Sequence, residues 1–388
     1  MISKELQLLI WSIQVSLLGK NKKAFLDLLN NKELDWEKVN LLATYHEIVP
    51  VLYNACKAVG FSNEYVKAQE ADVLRQAIKN IFYEKELLRL LTLLSEAGIP
   101  TVPYKGMLFL NKLYDSSPIR KIIDMDLLVD RKDAVMALQM LLNDGYSFIE
   151  SDGDFAKLDA IVSSTPNMEV VLVKRTQKGM PIFIDFHWHI SAYGNYDLDI
   201  GKLVSQTESN VWNGHKVQLP TAEGIFIMLL NHHSGRDCWV RLKYIADLLA
   251  FLKSYPQISD QQLTQWAEKV RMKKSFSYGL ALLNSFFLKE FDLNFIPDKR
   301  ILNDIVKMWE NGQFWNHVFP KLKLLSINRR LQDKHTSWLN ILDQQISYHA
   351  KSGISNDKRV ITFHEKYTYL NALSKLAGYL KERVRQAF

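Results

Sequence analysis

Apolar residues recur three and four positions apart through Ile2 to Ser95, as in Leu74, Ile78, Ile81, Leu87, Leu88, Leu91 and Leu94, with few breakers among them. That period is one face of an α-helix, so the spacing predicts a helical N-terminal unit. It stops at Ala97-Gly98-Ile99-Pro100, where glycine suits a left-handed cap and proline cannot continue the helix. The pattern then shortens. Strands are predicted at Thr101 to Tyr104, Ile122 to Val129, near Tyr146 to Glu150, Met168 to Lys174 and Pro181 to His187, with helices at Met107 to Tyr114 and Lys132 to Asp144. Helical periodicity returns at Thr221, through Ile225, Met228 and Leu229, then Leu242, Ile245, Leu248, Leu249 and Leu252, and runs to Phe388 with loops near Pro256, Pro297 and Gly353. The expected fold class is α+β: a core at 99–219 built on a short mixed sheet, flanked by helical units at 1–98 and 220–388.

Composition narrows this reading. At 388 residues the chain exceeds the size at which a single core stops growing, and 47% hydrophobic with 23% charged residues excludes intrinsic disorder. With 16 glycines and 10 prolines it is too poor in both for a collagen-like or propeller architecture. No internal repeat of fixed period is present, and no apolar run reaches the roughly 18 residues of a membrane span. Met1 to Leu18 reads as an amphipathic helix rather than a signal peptide. Cys56 and Cys238 stand far apart without a metal-binding spacing, which excludes a disulfide framework and a thiolate zinc site and fits a reducing cytoplasm. The net charge of +7 is thinly spread and mildly favours anionic ligands.

The chemistry concentrates in Ile122-Ile123-Asp124-Met125-Asp126-Leu127-Leu128-Val129, where two acids interrupt an apolar strand. Alternation along a strand sends Asp124 and Asp126 to one face and Ile123, Met125 and Leu127 to the other. Like charges so placed require a counter-charge, and a divalent metal on hard oxygen ligands, Mg²⁺ or Mn²⁺, supplies it; the spacing taken alone reads more readily as a solvated strand end with two surface acids. In Pro103-Tyr104-Lys105-Gly106-Met107 a strand ends and a helix begins, so amides and a cation can meet a polyphosphate; a tight turn with a surface lysine is the alternative. A third acid, Asp185, interrupts the apolar strand Phe183-Ile184-Asp185-Phe186-His187.

His187 shares the face of Asp185 and reads as a hydrogen-bonded structural histidine, with an accessory role at a metal as the alternative. Arg120 is a fork-shaped phosphate contact or half of a salt bridge. His232, His233, Arg236, Arg241 and Lys243 read as a solvated helix end, with a nucleotide-facing patch as the alternative. The aromatic residues Trp309, Phe314, Trp315 and Phe319 beside Lys321 and Lys323 read as core packing rather than base stacking.

These residues resemble the DNA polymerase beta-like nucleotidyltransferase superfamily, with a glycine turn at a helix start, an Asp-x-Asp strand and a third acid on a neighbouring strand. Lys105-Gly106, Leu113-Tyr114, Pro118, Arg120, Asp124 to Val129 and Gly145-Tyr146 are more closely similar to its uncharacterised bacterial nucleotidyltransferase family. The resemblance implies that Asp124, Asp126 and Asp185 hold two metal ions, Asp185 also serving as base, and that Lys105, Gly106 and Arg120 bind phosphate. It further implies transfer of a nucleoside monophosphate from a nucleoside triphosphate to an unidentified acceptor, with pyrophosphate release. Lys105 stands ahead of Gly106 where the common pattern has a second small residue following. That departure motivates the alternative of a noncatalytic nucleotide-binding regulator. A nucleic-acid-binding or modifying protein is the other alternative, and nucleic acid is not the favoured partner.

Overall fold

A computed structural model describes residues 2–114, 119–149, 158–163, 169–176, 179–190, 196–287, 291, 295–312, 318–334 and 374. Pro118, Glu150, Met168, Phe314, Trp315 and Gly353 lie outside these residues, as do the side chains of Phe319 and Lys321. Four helices, α1 (Lys4–Ile13), α2 (Lys22–Leu29), α3 (Trp36–Tyr45) and α4 (Val49–Ala58), lead into the long α5 (Glu64–Glu96). Next come β1 (Thr101–Pro103), α6 (Gly106–Leu113), β2 (Met125–Val129), α7 (Arg131–Asn143), β3 (Ser147–Phe148) and α8 (Leu158–Ser163). After β4 (Glu169–Arg175), β5 (Pro181–His187) and α9 (Ile200–Ser205), the hairpin β6 (Thr207–Trp212) and β7 (His215–Pro220) closes the strand-bearing stretch. α10 (Ala222–Leu230) continues into a π-helical turn at Asn231–Arg236, before α11 (Leu242–Ser254), α12 (Asp260–Lys269), α13 (Lys273–Phe286), α14 (Lys299–Asn311) and α15 (Val318–Leu331).

Local chemistry explains many of the boundaries. Ser3, Asp35, Asp130, Thr221 and Ser259 each accept a backbone amide from the first turn of the helix that follows, satisfying donors with no partner inside it. Asn213 and Gly214, both at positive φ (46° and 80°), form the two-residue turn that the twist of a β-hairpin requires.

The chain divides into two compact units. One comprises Met1–Leu87, Tyr104–Ile123 and Thr221–Lys334; the other comprises Leu88–Pro103, Asp124–Pro220 and His335–Phe388, of which Ser374 alone is described. The N-terminal and C-terminal helical segments therefore share a unit, and the sheet lies in the other.

In the helical unit α10 is apolar all round and buried from Gly224 to Leu230, as a central helix must be. Trp309 ties early and late segments together: its indole N–H donates to Trp239 O at 2.8 Å, and its carbonyl accepts from His46 Nε2 at 3.0 Å. Cys56 and Cys238 are buried free thiols. In the other unit the five-stranded sheet runs β1-β2-β5-β4-β3, with β2 and β5 parallel and the remaining neighbours antiparallel. The architecture is thus α+β with a mixed sheet. Leu127, Ile184, Phe186, Val170 and Leu172 are buried on one sheet face, and α7 contributes Ala134, Ala137, Leu138 and Leu141 to the core. No helix among the described residues is long and apolar enough to cross a membrane.

Candidate functional site

The opposite sheet face carries the acids. Asp126 on β2 is the register partner of Asp185 on parallel β5, so the two side chains leave the sheet on the same side, one across from the other. Two residues further along β5, His187 shares that face, and its register partner on β4 is Glu169. His187 Nε2 lies 3.1 Å from Asp126 Oδ1, and its Nδ1 lies 2.9 Å from Glu169 Oε2. Asp126 and His187 are only 3% and 2% exposed, while Asp185 is half-buried and reachable.

Each of Asp126, Asp185 and His187 offers one ligand atom, and these atoms lie within 4.8 Å of one another. Two carboxylates and an imidazole fit a divalent first-row cation such as Mn²⁺ as well as Mg²⁺, the imidazole drawing the preference toward the transition metal. Glu169 on the far nitrogen fixes the ring orientation, as the outer partner of a metal-binding histidine commonly does. With both nitrogens facing carboxylates, the ring is itself a cation between anions whenever both carry protons. The counter-charge expected from a metal alone thus has a contributor within the chain.

Asp124 is not one of these three residues. It sits in a bend one residue before β2, whose first register pair is Met125 with Ile184, so no strand ladder enforces the alternation that would align it with Asp126.

Lys105, Gly106 and Arg120 fall in the helical unit. Lys105 precedes α6 at φ 44° and Gly106 opens the helix at φ 35°, so two successive residues take positive φ where amides become available. Arg120 forms the salt bridge that the sequence left as an alternative. Its Nε and Nη2 donate to the two oxygens of Asp247 at 3.1 and 2.9 Å, and its Nη1 donates to Gly106 O at 3.1 Å. Asp247 also accepts from Tyr114 Oη at 2.5 Å and from His233 Nε2 at 2.9 Å. Burial acts to raise the Asp247 carboxyl, but the Arg120 charge and the His233 hydrogen bond outweigh it and hold the group well below the usual carboxylate range.

His233 is buried and His232 half-buried, unlike the solvated helix end expected for them. Burial lowers the pKa of both rings. Their Nδ1 atoms are 2.9 Å apart, so with His233 donating from Nε2 to Asp247, its Nδ1 accepts from His232. Arg241 and Lys243 both pair with Glu47, and burial pushes the Lys243 ammonium down to about 7.

Two residues went unread in the sequence. Asp247 carried a visible signal, since an acid inside Tyr244-Ile245-Ala246-Asp247-Leu248-Leu249 on an apolar helix demands a partner. Glu169 carried none, because its meeting with His187 depends on the register of β4 against β5.

The family model for an uncharacterised nucleotidyltransferase matches residues 32–288, a span that holds both the acid cluster and the Arg120–Asp247 network. Among solved structures, the crystal structure of an antigenic nucleotidyltransferase-like protein from Paracoccidioides brasiliensis is similar at 13% identity and a TM-score of 0.33, over 58% of this chain and 92% of that one. At that level the likeness carries no argument about the site. No curated protein matches the chain. The match over 32–288 decides the matter: the chain belongs to the uncharacterised nucleotidyltransferase family.

Proposed function

We propose that the protein is a metal-dependent nucleotidyltransferase, moving a nucleoside monophosphate from a nucleoside triphosphate to an acceptor with release of pyrophosphate. The observation that carries this reading is the convergence of Asp126, Asp185 and His187 on one sheet face in a chain of that family. Asp126 and Asp185, together with Asp124, would hold the divalent cation, Mg²⁺ or Mn²⁺. Held by these residues, a cation would supply neutralisation of phosphate charge and a lowered pKa for an acceptor hydroxyl. Half-buried Asp185 is the acid placed to take the acceptor proton. Glu169 holds the His187 ring and so keeps Asp126 in place. Lys105 and the amides at the start of α6 bind phosphate. Arg120 acts there by holding the Gly106 carbonyl, with Asp247 as its anchor.

Calorimetric titration of the four nucleoside triphosphates, with and without Mg²⁺ or Mn²⁺, tests this reading. The expected result is metal-dependent binding that falls at least tenfold in an Asp126→Asn, Asp185→Asn variant of unchanged circular dichroism. Absence of binding by the folded native protein under every metal condition sinks the proposal. Binding without pyrophosphate release across an acceptor panel would instead favour the noncatalytic regulator.

A further inference from the structure

Away from the acid cluster, the helical unit contains a cavity of about 430 Å³ whose walls come from α3, α4, α5 and the chain at Lys121. That volume lies within the range of small-molecule sites, yet the lining is unlike a typical apolar pocket. Val49, Pro50 and Val73 are its apolar members, and among the described residues the lining includes no aromatic ring on which a nucleobase would stack. Thr44, Gln69 and Gln76 offer hydroxyl and carboxamide groups of the kind that pair with a ligand's hydroxyls.

The charges lean to one sign. Arg75, Lys79 and Lys121 line the cavity together with Glu47 and Asp72. Each of those carboxylates already has a cation: Asp72 pairs with Arg75, and Glu47 pairs with both Arg241 and Lys243. The lining and its ion pairs therefore carry an excess of positive charge, which holds even when Lys243 is counted as neutral.

We propose that this cavity binds a small phosphate monoester bearing several hydroxyls, of the sugar-phosphate class, with the phosphate against Arg75, Lys79 and Lys121. The walls are fixed in advance. Gln76 Nε2 donates to Ile122 O and Lys79 Nζ to Ile123 O, both at 2.8 Å, while Tyr83 Oη donates to Ile123 O at 3.0 Å. These bonds clamp the backbone beside Lys121 to α5, so the cavity does not depend on a ligand to form. The inference stands independently of nucleotidyl transfer, since none of its residues is placed at the acid cluster.

Arg75 and Lys121 are exposed and can be replaced without disturbing the core. The test is calorimetric titration of the full chain at low salt with glycerol 3-phosphate, ribose 5-phosphate and glucose 6-phosphate, against the parent sugars, inorganic phosphate and ATP. At least one sugar phosphate is expected to bind below about 1 mM, the upper range of ordinary substrate affinities. Binding should fall tenfold or more in an Arg75→Ala, Lys121→Ala variant and stay unchanged in Asp126→Asn. Inorganic phosphate and the parent sugar should each bind at least tenfold more weakly.

Several outcomes overturn the proposal. They are no sugar phosphate binding in that range, equal binding of inorganic phosphate, or binding that survives the double substitution. Loss of binding in Asp126→Asn does so too, because it moves the ligand to the acid cluster. Failure of nucleotide binding in the earlier experiment leaves this one intact, so the two readings fail separately.

Discussion

Two acids set into apolar elements, Asp247 on α11 and Asp126 on β2, have been treated in opposite ways by the fold. Around Asp247, donors converge on the carboxylate: two nitrogens of Arg120, the Tyr114 hydroxyl and His233 Nε2 all point at its two oxygens, and the residue is completely buried. On the sheet the convergence runs the other way, with ligand atoms of Asp126, Asp185 and His187 directed at a shared space and Asp185 left half-exposed. A carboxylate surrounded by matched donors is finished as a structural element. Carboxylates gathered around one point keep a charge requirement that His187 meets in part and that a bound cation would meet in full. The contrast separates a site from its support.

The largest expected effect breaks the support. Asp247→Ala removes the carboxylate that pairs with the Arg120 guanidinium, whose side chain is 12% exposed. Leaving one partner of a buried ion pair uncompensated costs about 3–5 kcal/mol. Urea denaturation should therefore show a loss of stability of about that size. Asp126→Asn keeps the side-chain volume and relieves repulsion with Asp185, so its stability should change by only about 1 kcal/mol or less while metal binding is lost. Equal destabilisation by the two substitutions would make the sheet cluster structural and erase the distinction.

A smaller effect comes from buried histidines. His46 donates from Nε2 to Trp309 O and accepts the Leu242 amide on Nδ1 at 3.1 Å, an arrangement open only to the neutral ring. Burial accordingly lowers its pKa to about 3. In the unfolded chain histidine titrates near 6.5. As pH falls from about 6.5 toward 3, the unfolded state takes up a proton that the native state refuses, and stability declines by about 1.4 kcal/mol per unit for this ring. Asp247 is also depressed in the native state, but its contribution is fully present above the unfolded carboxylate value near 3.9 and is lost only below it. Acid destabilisation should therefore begin near pH 6, with the histidines. His46→Gln supplies one donor and one acceptor without a titratable ring, so unfolding measured at several pH values should show a shallower slope for that variant.

Much of this was legible in the chain. The apolar periods located α6, α7 and the end of α5 to within a few residues, and the acids within Met125-Asp126-Leu127 and Ile184-Asp185-Phe186 marked both strands that bear the cluster. Alternation correctly placed His187 with Asp185. At Asp124 the strand ladder does not enforce that alternation, because it starts at Met125. The β6–β7 hairpin was readable in Trp212-Asn213-Gly214-His215 and was passed over, although Asn-Gly is the strongest short-range hairpin signal. Partners set by long-range packing had no local trace: Gly106 with Arg120 and Glu169 with His187 meet only once the elements assemble.

The smallest effect sharpens the comparison at the turn that the Arg120–Asp247 pair supports. Lys105 takes φ 44° and ψ −142°, a conformation comfortable for glycine and costly for a residue with a Cβ, by about 1–3 kcal/mol. Lys105→Gly relieves that strain, although glycine also gives the unfolded chain more freedom to lose. The net expectation is a gain of about 1 kcal/mol in stability. The same substitution removes the ammonium proposed to meet phosphate, so affinity for a nucleoside triphosphate should fall while the protein becomes harder to unfold. Opposite signs in the two measurements identify a lysine retained for its charge against the preference of its backbone. A loss of stability without a change in nucleotide affinity would make Lys105 part of the support, alongside Asp247, and leave nucleotide binding to the acids of the sheet.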